Sequence, residues 1–191
     1  MPLIERLTSD VAVDAPVALV LPGAGYTTQA PLLYWPILSL ARAGWQVWSI
    51  NWHADINESV RADLPRFVKD ALARAEEAMP HTPDVVIGKS LGTYALPYFV
   101  NRDVRAAWLT PILTVPTIAD AARAASNQHL LVGGTADPSW DTDAIRGTQA
   151  RIVSMAAGNH GLEQQGAGWR ESAGNQLDVV QEVITHIAVV R

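Results

Sequence analysis

Short apolar runs rich in valine, leucine and isoleucine alternate along this chain with longer segments of helical periodicity. A continuous apolar run such as Val17-Ala18-Leu19-Val20-Leu21 is typical of a strand that is buried on both faces of a sheet. Strands are predicted at residues 17–21, 45–52, 84–88, 105–110, 128–133 and 150–155. Strands that alternate with helices predict an α/β fold, in which helices cover both faces of a mostly parallel, twisted sheet.

The helical pattern is strongest in the segment 58–79, where apolar residues recur on one stripe. Pro65 lies inside that segment, so we expect a break near residues 63 and 64. Further helices are predicted at 31–43, after the strand at 84–88, at 117–125, briefly at 141–147, and at 172–189. Residues 3–13 predict an antiparallel hairpin at one edge of the sheet. Since no linker interrupts the alternation, we expect a single domain over residues 1–191.

Composition narrows the classes of function. A chain of 191 residues with 49% hydrophobic and 17% charged residues is typical of a compact folded protein. The net charge of −5 and the scattered basic residues argue against nucleic acid or an anionic membrane as a partner. The absence of cysteine excludes disulfides, thiolate metal sites and a cysteine nucleophile. Without a signal pattern or an 18-residue apolar run, we expect a cytoplasmic protein.

The motif Gly88-Lys89-Ser90-Leu91-Gly92 stands between a predicted strand and an apolar segment. A Gly-x-Ser-x-Gly at a strand-to-helix junction is typical of a nucleophile elbow, a sharp turn that presents the serine hydroxyl. Glycines flank it because a Cβ there would collide with neighbouring elements. Residues 88–90 also resemble the end of a phosphate-binding P-loop, but position 83 is proline where that motif needs glycine. Ser90 is therefore the candidate nucleophile.

A serine hydroxyl needs a base, and ligand chemistry in such a sheet lies at the carboxyl ends of the strands. His160 follows the last predicted strand in a glycine-flanked loop, which makes it the candidate base. His53 also follows a strand and is a candidate for lining the pocket. The remaining histidines fall in the terminal helix or at the opposite ends of strands: His81, His129 and His186.

A carboxylate at the end of the strand 128–133 would orient such a histidine and stabilise its charged form. Asp137 comes directly from that strand end and is the first candidate; Asp141 is the second, with helix capping as its alternative role. The resulting chain order, serine then aspartate then histidine, is the order found in α/β-hydrolases rather than in trypsin-like or subtilisin-like enzymes.

The glycine-rich turn Pro22-Gly23-Ala24-Gly25-Tyr26 follows the first buried strand. It lacks the third glycine of the dinucleotide-binding fingerprint. Its backbone can instead approach a reacting carbonyl, so the N–H groups of Ala24 and Leu91 are the candidate oxyanion-hole donors. Gly25, Tyr26 and Trp140 are, with His53, candidates for lining the pocket.

Together, the segments 21–25, 88–92, 133–137 and 158–160 resemble the α/β-hydrolase superfamily, and in particular its small cap-less bacterial members related to dienelactone hydrolase and carboxylesterases. The likeness covers about residues 17 to 165. It implies a hydrolase of this superfamily and is silent on the substrate. The leading hypothesis is a serine hydrolase for small esters or thioesters that works through an acyl-enzyme, without a metal or organic cofactor. Pro22 is a departure, because many members carry histidine there. Residues 111–116 leave no room for a lid, so we expect an open site.

Two other functions remain open on sequence grounds. The same fold can serve as a binding or scaffolding protein whose triad is idle, because a fold does not determine a function. The same residues can also act in a peptidase or a C–C bond hydrolase. The expected partner is a small molecule, and the sequence leaves open whether the protein is a monomer or a homodimer.

Overall fold

The computed structural model describes residues 1–188, and its strands form one seven-stranded sheet. The strands are β1 (Leu3–Arg6), β2 (Val17–Leu21), β3 (Gln46–Asn51), β4 (Val85–Lys89), β5 (Arg105–Leu109), β6 (His129–Gly134) and β7 (Arg151–Met155). Their order across the sheet is β1-β3-β2-β4-β5-β6-β7. All neighbouring pairs are parallel except β1 with β3. The predicted α/β fold with a mostly parallel sheet is confirmed.

Helices pack on both faces of this sheet. They are α1 (Pro31–Arg42), α2 (Glu58–Arg61), α3 (Leu64–Ala78), α4 (Leu96–Phe99), α5 (Pro116–Ala124) and α6 (Trp169–Ile187), with 3₁₀ turns at His53–Asp55 and Ser90–Ala95. Apolar residues of α3, α4 and α5 form one core on one face, and those of α1 and α6 form a second core on the other. Both faces of the central strands are therefore buried, which explains their continuous apolar sequence.

The alternation of side chains in β4 shows how one strand serves both cores. Val86 points into the core beneath α3, whereas Val85 and Ile87 point into the core beneath α1 and α6. Lys89, at the carboxyl end of the strand, points to the same side of the sheet as Val85 and Ile87. The next residue, Ser90, begins the loop that leaves the sheet.

The predicted break at Pro65 is present. Helix α2 ends at Arg61 and α3 begins at Leu64, and the Asp63 side chain accepts a hydrogen bond from the Arg66 N–H at 3.1 Å. This cap, together with a proline in the first turn, fixes the start of α3.

Two sequence predictions about local structure, the hairpin and the helix at 141–147, were wrong, and two predicted helices differ in form or in their bounds. Residues 3–13 contain one edge strand, which pairs with β3, rather than a hairpin. Residues 141–147 form turns rather than a helix, because the Asp141 carboxylate accepts from the N–H groups of Asp143 and Ala144. The segment after Ser90 is a 3₁₀ turn before the short α4. Helix α6 begins at Trp169, three residues earlier than predicted, and residue 189 lies outside the described residues.

Within residues 1–188, we find no helix that is both long enough and apolar enough to cross a membrane.

Candidate active site

Ser90 lies on a strained turn between β4 and the first 3₁₀ residues. Its φ angle is 50°, a left-handed conformation that non-glycine residues adopt rarely. The flanking glycines are required by their neighbours: a Cβ on Gly88 would lie 2.7 Å from the Trp108 ring, and one on Gly92 would lie 2.0 Å from the Leu21 carbonyl oxygen. The turn can therefore pass between two strands only because both positions lack a side chain.

His160 lies in the loop between β7 and α6 and bridges two of the predicted site residues. Its Nε2 is 2.8 Å from the Ser90 Oγ, and its Nδ1 is 2.7 Å from Oδ2 of Asp137. Since an ionised carboxylate only accepts hydrogen bonds, Nδ1 carries the proton. Nε2 is then free to accept the serine proton, which is the arrangement that general-base catalysis requires.

Asp137 is held in the turn directly after β6. Its side chain is 1% exposed, whereas the imidazole that it contacts is 40% exposed. The other carboxylate oxygen, Oδ1, accepts from the Ser139 N–H at 2.9 Å. Asp141, the second candidate for the acid, has its Oδ1 bonded to the N–H groups of its own turn instead. The structure thus brings Asp137 to His160 and leaves Asp141 in an exposed turn.

The loop that carries His160 is fixed from within by Asn159. Its Oδ1 accepts from the N–H groups of Gly161 and Glu163, at 2.8 and 3.0 Å. Leu162 has a φ of 56° and is completely buried in the core beneath α1 and α6. A non-glycine residue in this conformation needs such packing to hold it there.

The 22–26 turn lies against the serine. A Cβ built on Gly23 would be 3.4 Å from the Ser90 Cβ, and the Gly23 N–H donates to the Tyr26 carbonyl at 3.1 Å. The Ala24 carbonyl oxygen is 2.9 Å from His53 Nδ1. Leu91, the other candidate donor of an oxyanion hole, directly follows the serine and is buried. Both candidate donors are therefore on segments that flank Ser90.

The candidate lining residues occupy different surroundings. A Cβ on Gly25 would meet nothing within 4 Å. The Tyr26 hydroxyl accepts from the Leu32 N–H at 3.0 Å, and burial raises the pKa of this phenol. His53 lines a cavity of about 260 Å³, and Pro22 of the 22–26 turn lines it as well. Trp140 is only 8% exposed, belongs to the core beneath α3 to α5, and donates its indole N–H to the Ser154 hydroxyl.

Lys89 is a residue of this site that the sequence did not predict. Its side chain is fully buried, with Nζ 3.1 Å from Thr110 Oγ1 and 3.0 Å from the His160 carbonyl oxygen. Burial lowers the pKa of this lysine to about 8, an effect that the nearby charge of Asp137 partly offsets. Two features of the sequence could have pointed to Lys89: its position inside the elbow motif, and the fact that Lys69 and Lys89 are the only lysines of the chain.

Among the described residues, no three His, Asp or Glu side chains are grouped so that they could hold a metal ion.

Comparison with known proteins gives structural likenesses only. No protein-family model matches the chain, and no curated protein matches it in sequence. A dienelactone hydrolase from Anabaena variabilis is 18% identical over 96% of both chains, with a TM-score of 0.64. Est1E from Butyrivibrio proteoclasticus is 11% identical over 97% of this chain and 93% of its own, with a TM-score of 0.66. An α/β serine hydrolase without lid from Xanthomonas campestris is 18% identical over 97% of this chain and 86% of its own, with a TM-score of 0.58.

Proposed function

Starting from the lidless α/β-hydrolase fold that this chain has, we propose that the protein is a serine hydrolase acting on small esters or thioesters. The observation that carries the proposal is the continuous hydrogen-bonded series from the Ser90 hydroxyl through His160 to the Asp137 carboxylate. All three side chains lie at the carboxyl ends of parallel strands, where this type of sheet binds its ligands.

In the first half of the reaction, the Ser90 Oγ attacks the carbonyl carbon while His160 Nε2 takes the hydroxyl proton. Asp137 holds the imidazole in orientation and stabilises its positive charge. The backbone N–H groups of Leu91 and Ala24 would bind the negative oxygen of the tetrahedral intermediate. The intermediate collapses when the C–O or C–S bond breaks, and the alcohol or thiol leaves with the proton from His160.

In the second half, a water molecule gives its proton to His160 and attacks the acyl-enzyme carbonyl. The bond to Ser90 Oγ then breaks, the serine recovers a proton from His160, and a carboxylic acid is released. Groups of the chain itself perform every one of these steps, so the mechanism includes no metal or organic cofactor.

The structural neighbours favour esters as the substrate class. The segment between β5 and α5 is short, which leaves the site open. Among the structural neighbours are a dienelactone hydrolase and Est1E, which has been solved with ferulic acid bound.

A fluorophosphonate probe tests the proposal without knowledge of the substrate. We expect one covalent adduct, mapped by peptide mass spectrometry to Ser90 and absent from Ser90→Ala. Ser59→Ala is the matched control, because Ser59 lies exposed on α2 and its replacement should leave labelling unchanged. Failure of the folded wild-type protein to react at Ser90 would contradict the proposal. A panel of p-nitrophenyl esters, thioesters and peptides then identifies the bond that is cleaved.

A further inference from the structure

The ammonium group of Lys89 contacts three separate segments of the proposed active site. It donates to Thr110 Oγ1 just beyond β5 and to the main-chain carbonyl of His160 after β7. It also stands 4.5 Å from the ring centroid of Tyr26, in the turn after β2. Lys89 itself is the residue directly before Ser90. A single side chain therefore joins the loop of the base to the strand of the nucleophile.

This arrangement is costly for the fold. The side chain is 2% exposed, and no ion pair with a carboxylate is present for it in the part of the chain that the structure describes. An ammonium group that is taken out of water loses solvation energy, and hydrogen bonds to neutral groups replace only part of it. A methionine would fill the same space without that cost. The lysine is therefore best explained by what its charge does for the neighbouring loops.

The segments that it joins are themselves strained. Thr110 has a φ of 46° and Leu162, two residues after His160, has a φ of 56°. A β-branched residue in this conformation is a clear outlier, and it persists only where surrounding contacts hold it. The bond from Lys89 to Thr110 and the bond to the His160 carbonyl are such contacts.

We propose that Lys89 is a positioning residue, which fixes the His160 loop so that the imidazole lies between Ser90 and Asp137. The carbonyl that accepts its hydrogen bond belongs to the same residue as the imidazole, so movement of that carbonyl moves the base. A displacement of about 1 Å in a reacting group can lower a rate about 100-fold. This inference rests on the proposed function, since it assigns a role within the same site.

The first test compares Lys89→Met with wild type in the rate of Ser90 labelling by the fluorophosphonate. We expect the second-order rate constant to fall about 10- to 100-fold at a temperature where both proteins are folded by circular dichroism. Lys69→Met is the matched control, because it is the same substitution on the exposed face of α3. A Lys89→Met rate within twofold of wild type would overturn the proposal.

A second measurement uses wild type, with Lys69→Met for assignment, and therefore decides the question if Lys89→Met does not fold. With two lysines in the chain, ¹³Cε-labelled lysine gives two NMR signals, which Lys69→Met assigns. Deprotonation removes the charge that strengthens the bond to the His160 carbonyl. We expect Ser90 labelling to decrease several-fold in step with the Lys89 titration, near pH 8. Labelling that stays constant across that titration would refute the positioning role.

Three other titratable side chains face the ammonium group of Lys89. They are Tyr26 from the turn after β2, Asp137 from the turn after β6, and His160 from the loop after β7. Burial raises the pKa of Tyr26, so the phenol stays neutral near pH 8.

The imidazole Nδ1–H resonance of His160 separates a failure of this inference from a failure of the proposed function. If wild-type Ser90 is never labelled, the proposed hydrolase function fails, and the resonance still reports the position of the loop. We expect it to shift in Lys89→Met and not in Lys69→Met. If wild type is labelled but Lys89→Met neither slows labelling nor shifts the resonance, only the role of Lys89 is refuted.

Discussion

Acidification from pH 7 to pH 4 perturbs the interior of this protein at His129, the first residue of β6. The side chain is completely buried, and its Nδ1 is 3.0 Å from the indole Nε1 of Trp108. Because an indole N–H can only donate, Nδ1 accepts and the proton of the neutral imidazole lies on Nε2. A second proton would have to displace the indole from Nδ1.

The size of the stability loss on acidification follows from the pKa of this imidazole. Burial, and to a lesser extent the neighbouring His186, lowers the pKa of His129 from 6.5 to about 4. Between these two values the unfolded chain binds a proton that the folded chain does not, so stability is full above pH 6.5 and declines as the pH falls. Since a tenfold change in proton affinity is worth about 1.4 kcal/mol, folding becomes about 3 kcal/mol less favourable at pH 4. That is a large share of a typical domain stability of about 5–15 kcal/mol.

Urea unfolding at pH 7, 6, 5 and 4 measures this effect. In His129→Asn, the amide oxygen can still accept a hydrogen bond from Trp108, but the side chain does not titrate. Between pH 7 and pH 4, we therefore expect the free energy of unfolding of this variant to fall by about 3 kcal/mol less than that of wild type. His81→Asn is the control, because His81 is exposed on a loop and its replacement should leave the dependence intact. His186, whose pKa burial also lowers, contributes in the same direction in all three proteins. Parallel pH profiles for wild type and His129→Asn would refute the reasoning.

Two further predictions concern the elbow and the acid. Gly92→Ala should either prevent folding or lower the free energy of unfolding by about 4 kcal/mol or more, since the new Cβ would lie 2.0 Å from the Leu21 carbonyl oxygen. The control is Gly174→Ala, in α6 with open space around it. It should raise the free energy of unfolding by about 0.5–1 kcal/mol in the same urea assay. Asp137→Asn should lower ester turnover about 10⁴-fold through loss of the correct histidine tautomer, whereas Asp141→Asn should stay within twofold of wild type because an amide oxygen can cap the same turn. Equal losses in the two aspartate variants would contradict the arrangement seen here.

The sequence predicted the sheet well because its strands carry their own signal. The five successive apolar residues Val17–Leu21 identify a strand that is buried on both faces, and each of the six strands predicted as single runs is present within a residue of its predicted bounds. The break at Pro65 was also predictable, since proline lacks the N–H that a helix interior needs. Local chemistry determines both features.

Features that depend on tertiary contacts were harder to predict. A brief helix was predicted at residues 141–147, but the Asp141 carboxylate satisfies nearby N–H groups in a turn instead. The contact between Lys89 and the His160 carbonyl joins residues 71 positions apart in the chain. Only the packing of β4 against the loop after β7 reveals that this lysine belongs to the site.

Within residues 1–188, strand β7 pairs with β6 alone, and Arg151, Ile152 and Ser154 along it are exposed. Edge elements with few buried contacts open at lower free energy than the centre of a sheet. The loop with His160 follows this strand, whereas Ser90 follows the central β4. Under the proposed function, local opening at this edge would remove the base while the elbow stays folded. The fraction of molecules competent for the proposed reaction would then depend on the stability of the β7 edge and not on that of the whole fold.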